Sequence, residues 1–460
     1  MSTTKPNGRS QGPAAEASPP AADPPGTIEP PGHFIPLTRK YLRASLLKYL
    51  KDDGADVRPF THALHCLASW RHNQYRTRLL HLLEDYLPFL PDGDTTCLAD
   101  VTETEKSAAH RRFIDGVQAL LESANYRRLR EEDIQKLLDA KTPYGLHLNV
   151  DLTAFDDVLI YYRGTAERVR EARNPWLLYL RKEQFNEPLF QRLFLLLKLK
   201  PVEARAKELM DQDGIDYGKA EKKVRKIRSQ LPVGVTSSHI YLKLFKRIPK
   251  VDVEMLFPNT KISFRPFDKL KLFVTAGGGT VAGVAGSASK LLVATNPITL
   301  SIALAGLSGV VFRQVMGFFN TRNRYMMVLA QNLYFCTLAN NRGALTLIAD
   351  RAEEEDTKED MLLYVFLARR EAVSRDDLDA VANDIQTFLK ERCGVSVTFD
   401  LADALRRLEE DGLVSEDEDG ELTTMAPEDA RAHLDGLWDG LMDPGCMERV
   451  EKAKPAFEAL

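Results

Sequence analysis

The chain has 460 residues, 44% hydrophobic and 28% charged, with a formal net charge of −4, enough for two or three domains that each bury a core of their own. Its five cysteines, Cys66, Cys97, Cys336, Cys393 and Cys446, are scattered, odd in number and free of any CxxC pair. That excludes a disulfide framework and argues against a structural zinc site.

Residues 1–32 are rich in Pro, Ala, Ser and Gly and include Glu16, Asp23 and Glu29. They lack the apolar stretch of a secretory signal and the arginine-rich, acid-poor pattern of a transit peptide, and read as a disordered tail. Residues 33–143 form a helical region, because apolar residues recur at helical spacing: Tyr41, Leu42, Leu46, Leu47 and Leu50, then Leu79, Leu80, Leu83 and Leu87, then Phe113, Val117, Leu120 and Leu121. His62, His65, His72 and His81 fall on this pattern with no carboxylate at ligand spacing, which assigns them surface or packing roles.

Residues 144–268 change texture and read as an α+β domain. Alternating and β-branched runs at His147 to Leu152, Asp157 to Arg163, Leu189 to Leu199 and His239 to Phe245 predict strands, interrupted by a charged helical stretch from Val202 to Gln230. The absence of a regular βαβ alternation argues against a doubly wound parallel sheet. The stretch from Lys219 to Arg247 holds nine Lys or Arg against one acid, Glu221. It predicts contact with anionic headgroups at roughly 1 kcal/mol per basic residue near the surface; a solvated helix face is the plain alternative.

Between Lys269 and Ala349 there is no Asp or Glu, and two uncharged runs, Leu272 to Ser289 and Leu291 to Phe312, are separated only by Lys290. Runs of this length reach across the roughly 30 Å hydrocarbon layer as helices. Residues 269–320 are therefore expected to form a transmembrane hairpin, with spans at about 272–293 and 297–318 and a turn at Ala294 to Pro297. The first span is diluted by five glycines, so it needs its partner. Gly279 with Gly283, and Ala305 with Gly309, offer the small-xxx-small faces on which two helices approach closely. A buried hairpin inside a large soluble core is the alternative.

Gly277 to Ala282 matches a GxGxxA dinucleotide fingerprint, but no acid follows before Asp350 to hold a ribose, and no P-loop Lys-Ser/Thr pair is present. Basic residues collar the hairpin on one side, among them Lys269, Lys271 and Arg313. They predict that both flanking bodies, and both termini, lie on the cytoplasmic side. The expected headgroup contacts are Lys222, Lys223, Arg225, Lys226, Lys269, Lys271 and Arg313.

Residues 321–370 read as a second helical region with an acid-rich segment, Glu353, Glu354, Glu355, Asp356, Glu359 and Asp360. A di-metal carboxylate site would want Glu-x-x-His turns, and no histidine occurs between His239 and His433. The segment is expected to be a solvated or salt-bridged helix face.

Residues 371–443 have the pattern of a winged-helix-like module, with an acidic wing tip at Glu416 to Gly420; residues 444–460 form a tail. The module carries 21 Asp or Glu against six Lys or Arg, a net of −15. That charge repels a phosphate backbone and argues against nucleic acid as a partner, in favour of protein docking or attraction to the chain's own basic juxtamembrane stretch.

Tyr241 to Pro258 (YLKLFKRIPKVDVEMLFP), Asp268 to Lys271, the hairpin, and Asn332 to Ala352 (NLYFCTLANNRGALTLIADRA) together resemble the transmembrane protein 143-like family, a domain of unknown function found in bacteria and in eukaryotic organelles. The Phe34 to Leu37 opening and the Phe399 to Val414 segment look like its ends, so the resemblance covers most of the chain after the tail. It implies a membrane hairpin between soluble parts and supplies no catalytic residue.

The reading is thus an α+β membrane protein with a helical N-terminal region, a mixed α+β domain, a two-helix transmembrane hairpin and a C-terminal winged-helix-like module. It is expected to be integral to a membrane of the bacterial inner membrane type, or an organelle membrane if the source is eukaryotic. The expected role is a scaffold or interaction protein that takes the lipid bilayer, a protein partner or a second copy of itself. No cofactor, metal or catalytic residue is assigned. The alternatives are a membrane-bound hydrolase or lipid-modifying enzyme using Asp252 and Glu254, and a membrane-tethered nucleic-acid-binding regulator.

Overall fold

The apolar run Leu193 to Leu197 has no polar break, as a strand buried on both faces requires. In the computed structural model it lies in β4 (Lys182–Leu199), the middle strand of a five-stranded sheet. The structure describes residues 33–93, 102–130, 132–134, 146–173, 182–229, 231, 234–250, 253, 256–258, 261–264, 312, 316, 327, 333–417 and 420–441. The sheet order is β1 (Arg127–Arg128), β3 (Phe155–Arg173), β4, β5 (Ile240–Pro249) and β7 (Thr337–Asn340), with every neighbouring pair antiparallel. A separate ladder joins β2 (Leu146–Asn149) to β6 (Lys261–Phe264).

The two-residue period of a strand divides this sheet's side chains between two cores. Phe194 and Leu196 of β4, Leu159 and Tyr161 of β3, and Ile240, Leu242 and Leu244 of β5 pack against helices on one face. Leu193, Leu195, Leu197, Ile160, Phe245 and Ile248 face the other way, onto Leu129, Val253, Leu256 and Phe257. The helices on the first face are α2 (Val57–Tyr86) and α3 (Glu103–Ser123), which follow α1 (Arg39–Asp52) in the chain. Thr102 starts α3 with a capping box, its hydroxyl accepting from the Glu105 amide while Glu105 accepts from the Thr102 amide. Between β4 and β5 a helical hairpin, α4 (Val202–Asp213) and α5 (Tyr217–Arg228), turns at Gly214, whose φ of +63° suits a residue without a Cβ.

Beyond β7 the 27-residue α6 (Asn341–Leu367) runs from one core into another. Its first half, Ala344, Leu345, Ile348, Ala349 and Ala352, packs on the sheet side. Its last seven residues, Met361 to Leu367, are all buried in a second core with α1 and the first half of α2. The same core holds the C-terminal elements: β8 (Val373–Ser374), α7 (Leu378–Cys393), α8 (Leu401–Glu410), β9 (Val414–Glu416), β10 (Glu421–Thr424) and α9 (Pro427–Gly440). The three strands form a sheet in the order β8, β10, β9, so helix, strand, helix, helix and two strands follow one another as in a winged helix. This module has no separate hydrophobic core, since Leu42, Leu46 and Leu64 of the N-terminal helices share one with Ile385, Leu405 and Leu408.

The membrane part of the expected architecture is corrected. Among the described residues no helix is long and apolar enough to cross a membrane, which overturns the transmembrane hairpin, the membrane assignment and the integral localisation with both termini cytoplasmic. The expectation rested on missing charge and on the Leu, Ile, Val and Ala content of Leu291 to Phe312, which are necessary for a span but do not by themselves specify one. Each of the five glycines between Thr275 and Ser289 disfavours a helix by about 1 kcal/mol relative to alanine. Apart from Phe312 and Met316, the expected spans lie outside the described residues, as do the packing residues Gly279, Gly283, Ala305 and Gly309 and the collar residues Lys269, Lys271 and Arg313. Where residues 321–370 were expected to be helical throughout, the strand β7 precedes α6 and closes the sheet edge on β5.

Candidate functional site

The acid-rich turns of α6 are the most unusual feature of the molecule, because they lie at the seam between its two cores. Glu353, Glu355, Asp356, Glu359 and Asp360 are all buried, as is Lys358. The expectation of a solvated face is therefore corrected, while ion pairing holds. Apolar residues on both sides of the segment are buried, and a continuous helix between them cannot stay in water. Charges carried inside in this way require partners within hydrogen-bonding distance.

Two arginines from other elements supply most of them. Arg71, on α2, donates from Nε to Asp360 at 2.9 Å and from Nη2 to Asp411 at 2.7 Å. Arg407, on α8, donates from Nε to Asp360 at 2.8 Å and from Nη2 to Glu359 at 2.9 Å, with Nη1 3.2 Å from Asp356. Asp360 thus joins both guanidiniums, one on each carboxyl oxygen. The Tyr75 hydroxyl donates to Asp356 at 2.5 Å, and Asp411, at the end of α8, accepts from Trp70 Nε1 at 2.8 Å and Gln74 Nε2 at 3.0 Å.

A second knot lies on the α1 side. Lys358 donates to the carbonyls of Ile35 and Leu37, at 2.6 and 3.1 Å, and to Glu355 at 2.8 Å; Glu355 in turn accepts from the Ile35 amide at 3.1 Å. The segment before α1 is thereby tied to the helix by its backbone. Glu353 meets Arg39 at 3.3 Å and His72 Nδ1 at 2.9 Å.

Burial sets the proton affinities. It pushes the Glu359 carboxyl up to about 8 and Asp356 up to about 6, against the opposing pull of Arg407 on both, and it raises Glu355 against Lys358. Burial and the neighbouring Asp356 together hold the Tyr75 phenol well above its ordinary value. For Arg407, burial alone would lower the guanidinium's affinity, and Asp360, Asp356 and Glu359 more than offset it. Among the described residues no group of three or more His, Cys, Asp or Glu could hold a metal ion. Each carboxyl group of the cluster has a hydrogen-bond donor or guanidinium within reach.

The expected headgroup contacts Lys222, Lys223, Arg225 and Lys226 come together on α5, all exposed. The apolar positions of that helix, Ala220 and Val224, are covered by Ala206 and Leu209 of α4. Lys223 pairs with Asp213 at 2.8 Å and Arg225 with Glu221 at 2.7 Å. Lys219, Lys222 and Lys226 are exposed without a carboxylate partner among the described residues. Asp252 and Glu254, the carboxylates of the hydrolase alternative, lie outside the described residues.

Sequence reasoning found the carboxylates and missed the cations that hold them. A signal was available: the stripe Leu64, Leu67, Tyr75, Leu79, Leu82 and Tyr86 of α2 keeps helical spacing through position 71, where an arginine stands at a core position. Arg407 likewise sits between the buried Leu405 and Leu408.

Residues 155–343 match the model of a family described as a protein of unknown function (DUF3754). The matched stretch is the sheet side of the molecule, from β3 through the α4–α5 hairpin to β7 and the start of α6, and the description assigns no activity. No solved structure matches the chain.

Proposed function

We propose that this chain is an interaction protein, without catalytic chemistry at the acid cluster, whose α5 face docks an acidic segment of a protein partner. The observation that carries the reading is the contrast in how charge is used. Every buried charge on α6 has a partner within the molecule, whereas Lys219, Lys222 and Lys226 stand exposed on a helix whose apolar side is already spent on α4. A helix that settles into a bilayer interface needs an apolar face to bury there, and the buried apolar residues of α5, Ala220 and Val224, are already packed on α4. The interleaved pairs Lys223–Asp213 and Arg225–Glu221 also suit a partner of defined shape better than a uniformly anionic sheet.

The position of Arg407 weighs against the nucleic-acid alternative: in α8, the helix that a winged helix would offer to DNA, it is turned inward onto Asp356, Glu359 and Asp360. The resemblance to the transmembrane protein 143-like family is itself a proposal, resting on the Tyr241 to Pro258 and Asn332 to Ala352 stretches, and adds no activity to this reading.

The test is a titration of the full chain with a poly-glutamate peptide and, separately, with phosphatidylserine vesicles, each at low and high salt. Peptide binding that weakens with salt, and is lost in the triple variant Lys219→Gln, Lys222→Gln, Lys226→Gln, is the expected result. Equal binding by the variant overturns the assignment of α5. Vesicle binding in preference to peptide, lost in the same variant, replaces the acidic protein by anionic headgroups.

A further inference from the structure

The ionic seam places four carboxyl groups, Asp356, Glu359, Asp360 and Asp411, around two guanidiniums, Arg71 and Arg407, in a region where all six residues are buried. Fully ionised, this group would hold two uncompensated negative charges out of water, a state that buried sites relieve by binding protons. Its members come from separate parts of the chain: Arg71 from α2, Asp356, Glu359 and Asp360 from α6, Arg407 from α8 and Asp411 from the end of α8. We infer that this two-guanidinium, four-carboxyl cluster is a proton-dependent latch that holds the C-terminal module, β8 to α9, against the N-terminal helices.

Other groups that face the cluster do not supply the missing positive charge. From α2, Tyr75, Trp70 and Gln74 donate neutral hydrogen bonds. From α1, Arg39 is engaged with Glu353 rather than with the four carboxyls. From α9, His433 Nε2 lies 2.8 Å from the backbone oxygen of Asp411, not from its carboxyl. Lys358 is committed to Glu355 and to the Ile35 and Leu37 carbonyls. Arg78, also on α2, is exposed and acts on the Tyr75 phenol, so among the described residues protons are the remaining source of balance, and Glu359 and Asp356 are the carboxyls whose affinity burial raises.

The direction follows from linkage. A carboxyl that holds its proton more tightly in the closed state than in the open one favours closure below its open-state value, and that advantage is lost as pH rises through the closed-state value. For Glu359 the window ends at about 8, and for Asp356 at about 6. The module is therefore held more firmly in mild acid than in mild base, the reverse of a latch made of simple salt bridges. Where one proton leaves on opening, the opening constant rises roughly tenfold per pH unit.

The experiment is amide exchange on the full chain between about pH 6 and about pH 8. Rates are corrected for the intrinsic pH dependence and read in α7 and α8 against the α4–α5 hairpin as internal reference. The latch requires opening of α7 and α8 to increase with pH while the reference stays flat. Glu359→Gln, which keeps the shape and cannot ionise, should flatten the profile and protect the module at the upper pH. Opening that ignores pH in the wild type, or a Glu359→Gln variant that opens more by the same factor at every pH, overturns the latch. Should Glu359→Gln fail to fold, Asp356→Asn at the lower end of the window and the wild-type urea midpoint against pH give independent readings. A midpoint that rises with pH across the window overturns the inference.

Discussion

Helix α5 and the middle of α6 are both dense in charge, yet one is exposed along its basic face and the other is buried from Ala352 to Asp360 but for Glu354. What differs is the flanks. In α5 the buried apolar residues are few and lie on one stripe, Ala220 and Val224, so packing that stripe on α4 leaves the lysines in water. In α6 the acids sit between two apolar segments buried in different cores, and the rigid helix carries them inside. Composition alone does not decide whether a charge run is wet. The decision lies with the burial demands of the residues on either side, and with whether the chain supplies counter-charges at the right places.

The sharpest way to break the comparison is to remove one of those counter-charges. Arg407→Ala strips three carboxyl groups of their shared guanidinium, and leaving buried charge without its partner costs about 3–5 kcal/mol. The expected result is a large fall in the urea midpoint, with loss of protection in both the module and α6, because all three carboxyl groups that Arg407 holds lie on α6. Arg71→Ala should act similarly through Asp360 and Asp411. If either variant is as stable as the wild type, the cluster does not join the two halves of the molecule.

How much of this was legible depended on where the information lies. The long strands were readable, because Leu189 to Leu199 and His239 to Phe245 carry their burial in local pattern, and β4 and β5 extend through and beyond those runs. The charged helical stretch from Val202 to Gln230 likewise holds α4 and α5. The inward fate of the α6 acids was not readable, since the arginines that hold them come from positions 71 and 407, about 290 residues upstream and 50 downstream in sequence. Local charge predicts a wet surface, and only tertiary contact reverses it. The membrane expectation is overturned because no helix among the described residues is long and apolar enough to cross a membrane; absence of charge records only what a segment lacks.

A smaller effect sharpens the same picture. Tyr75→Phe removes the hydroxyl that Asp356 accepts from while keeping the ring and its packing, and a buried acceptor left short of one donor costs about 1–3 kcal/mol. Because Asp356 also meets Arg407, the loss should fall toward the lower end of that range. The pH profile separates this from plain destabilisation: losing a bond that favours the ionised carboxyl raises the affinity of Asp356 for its proton further, so the deficit of Tyr75→Phe should shrink in mild acid and grow above about pH 6. A deficit of equal size at all pH values would mean that Asp356 does not titrate in the folded protein.

The least perturbing change is on the other side of the comparison. Lys219→Gln, Lys222→Gln and Lys226→Gln each alter an exposed side chain that has no carboxylate partner among the described residues. Changes of this kind stay within about 0.5 kcal/mol, and glutamine keeps nearly the helix propensity of lysine. The three variants should therefore unfold at the wild-type urea midpoint, singly and together. That neutrality is what allows the triple variant to report on docking: a partner lost without a change in stability locates the contact on the α5 face. A triple variant that unfolds early would instead mean that these lysines hold α5 to the rest of the molecule, and the contrast between a helix facing water and one facing the interior would no longer hold.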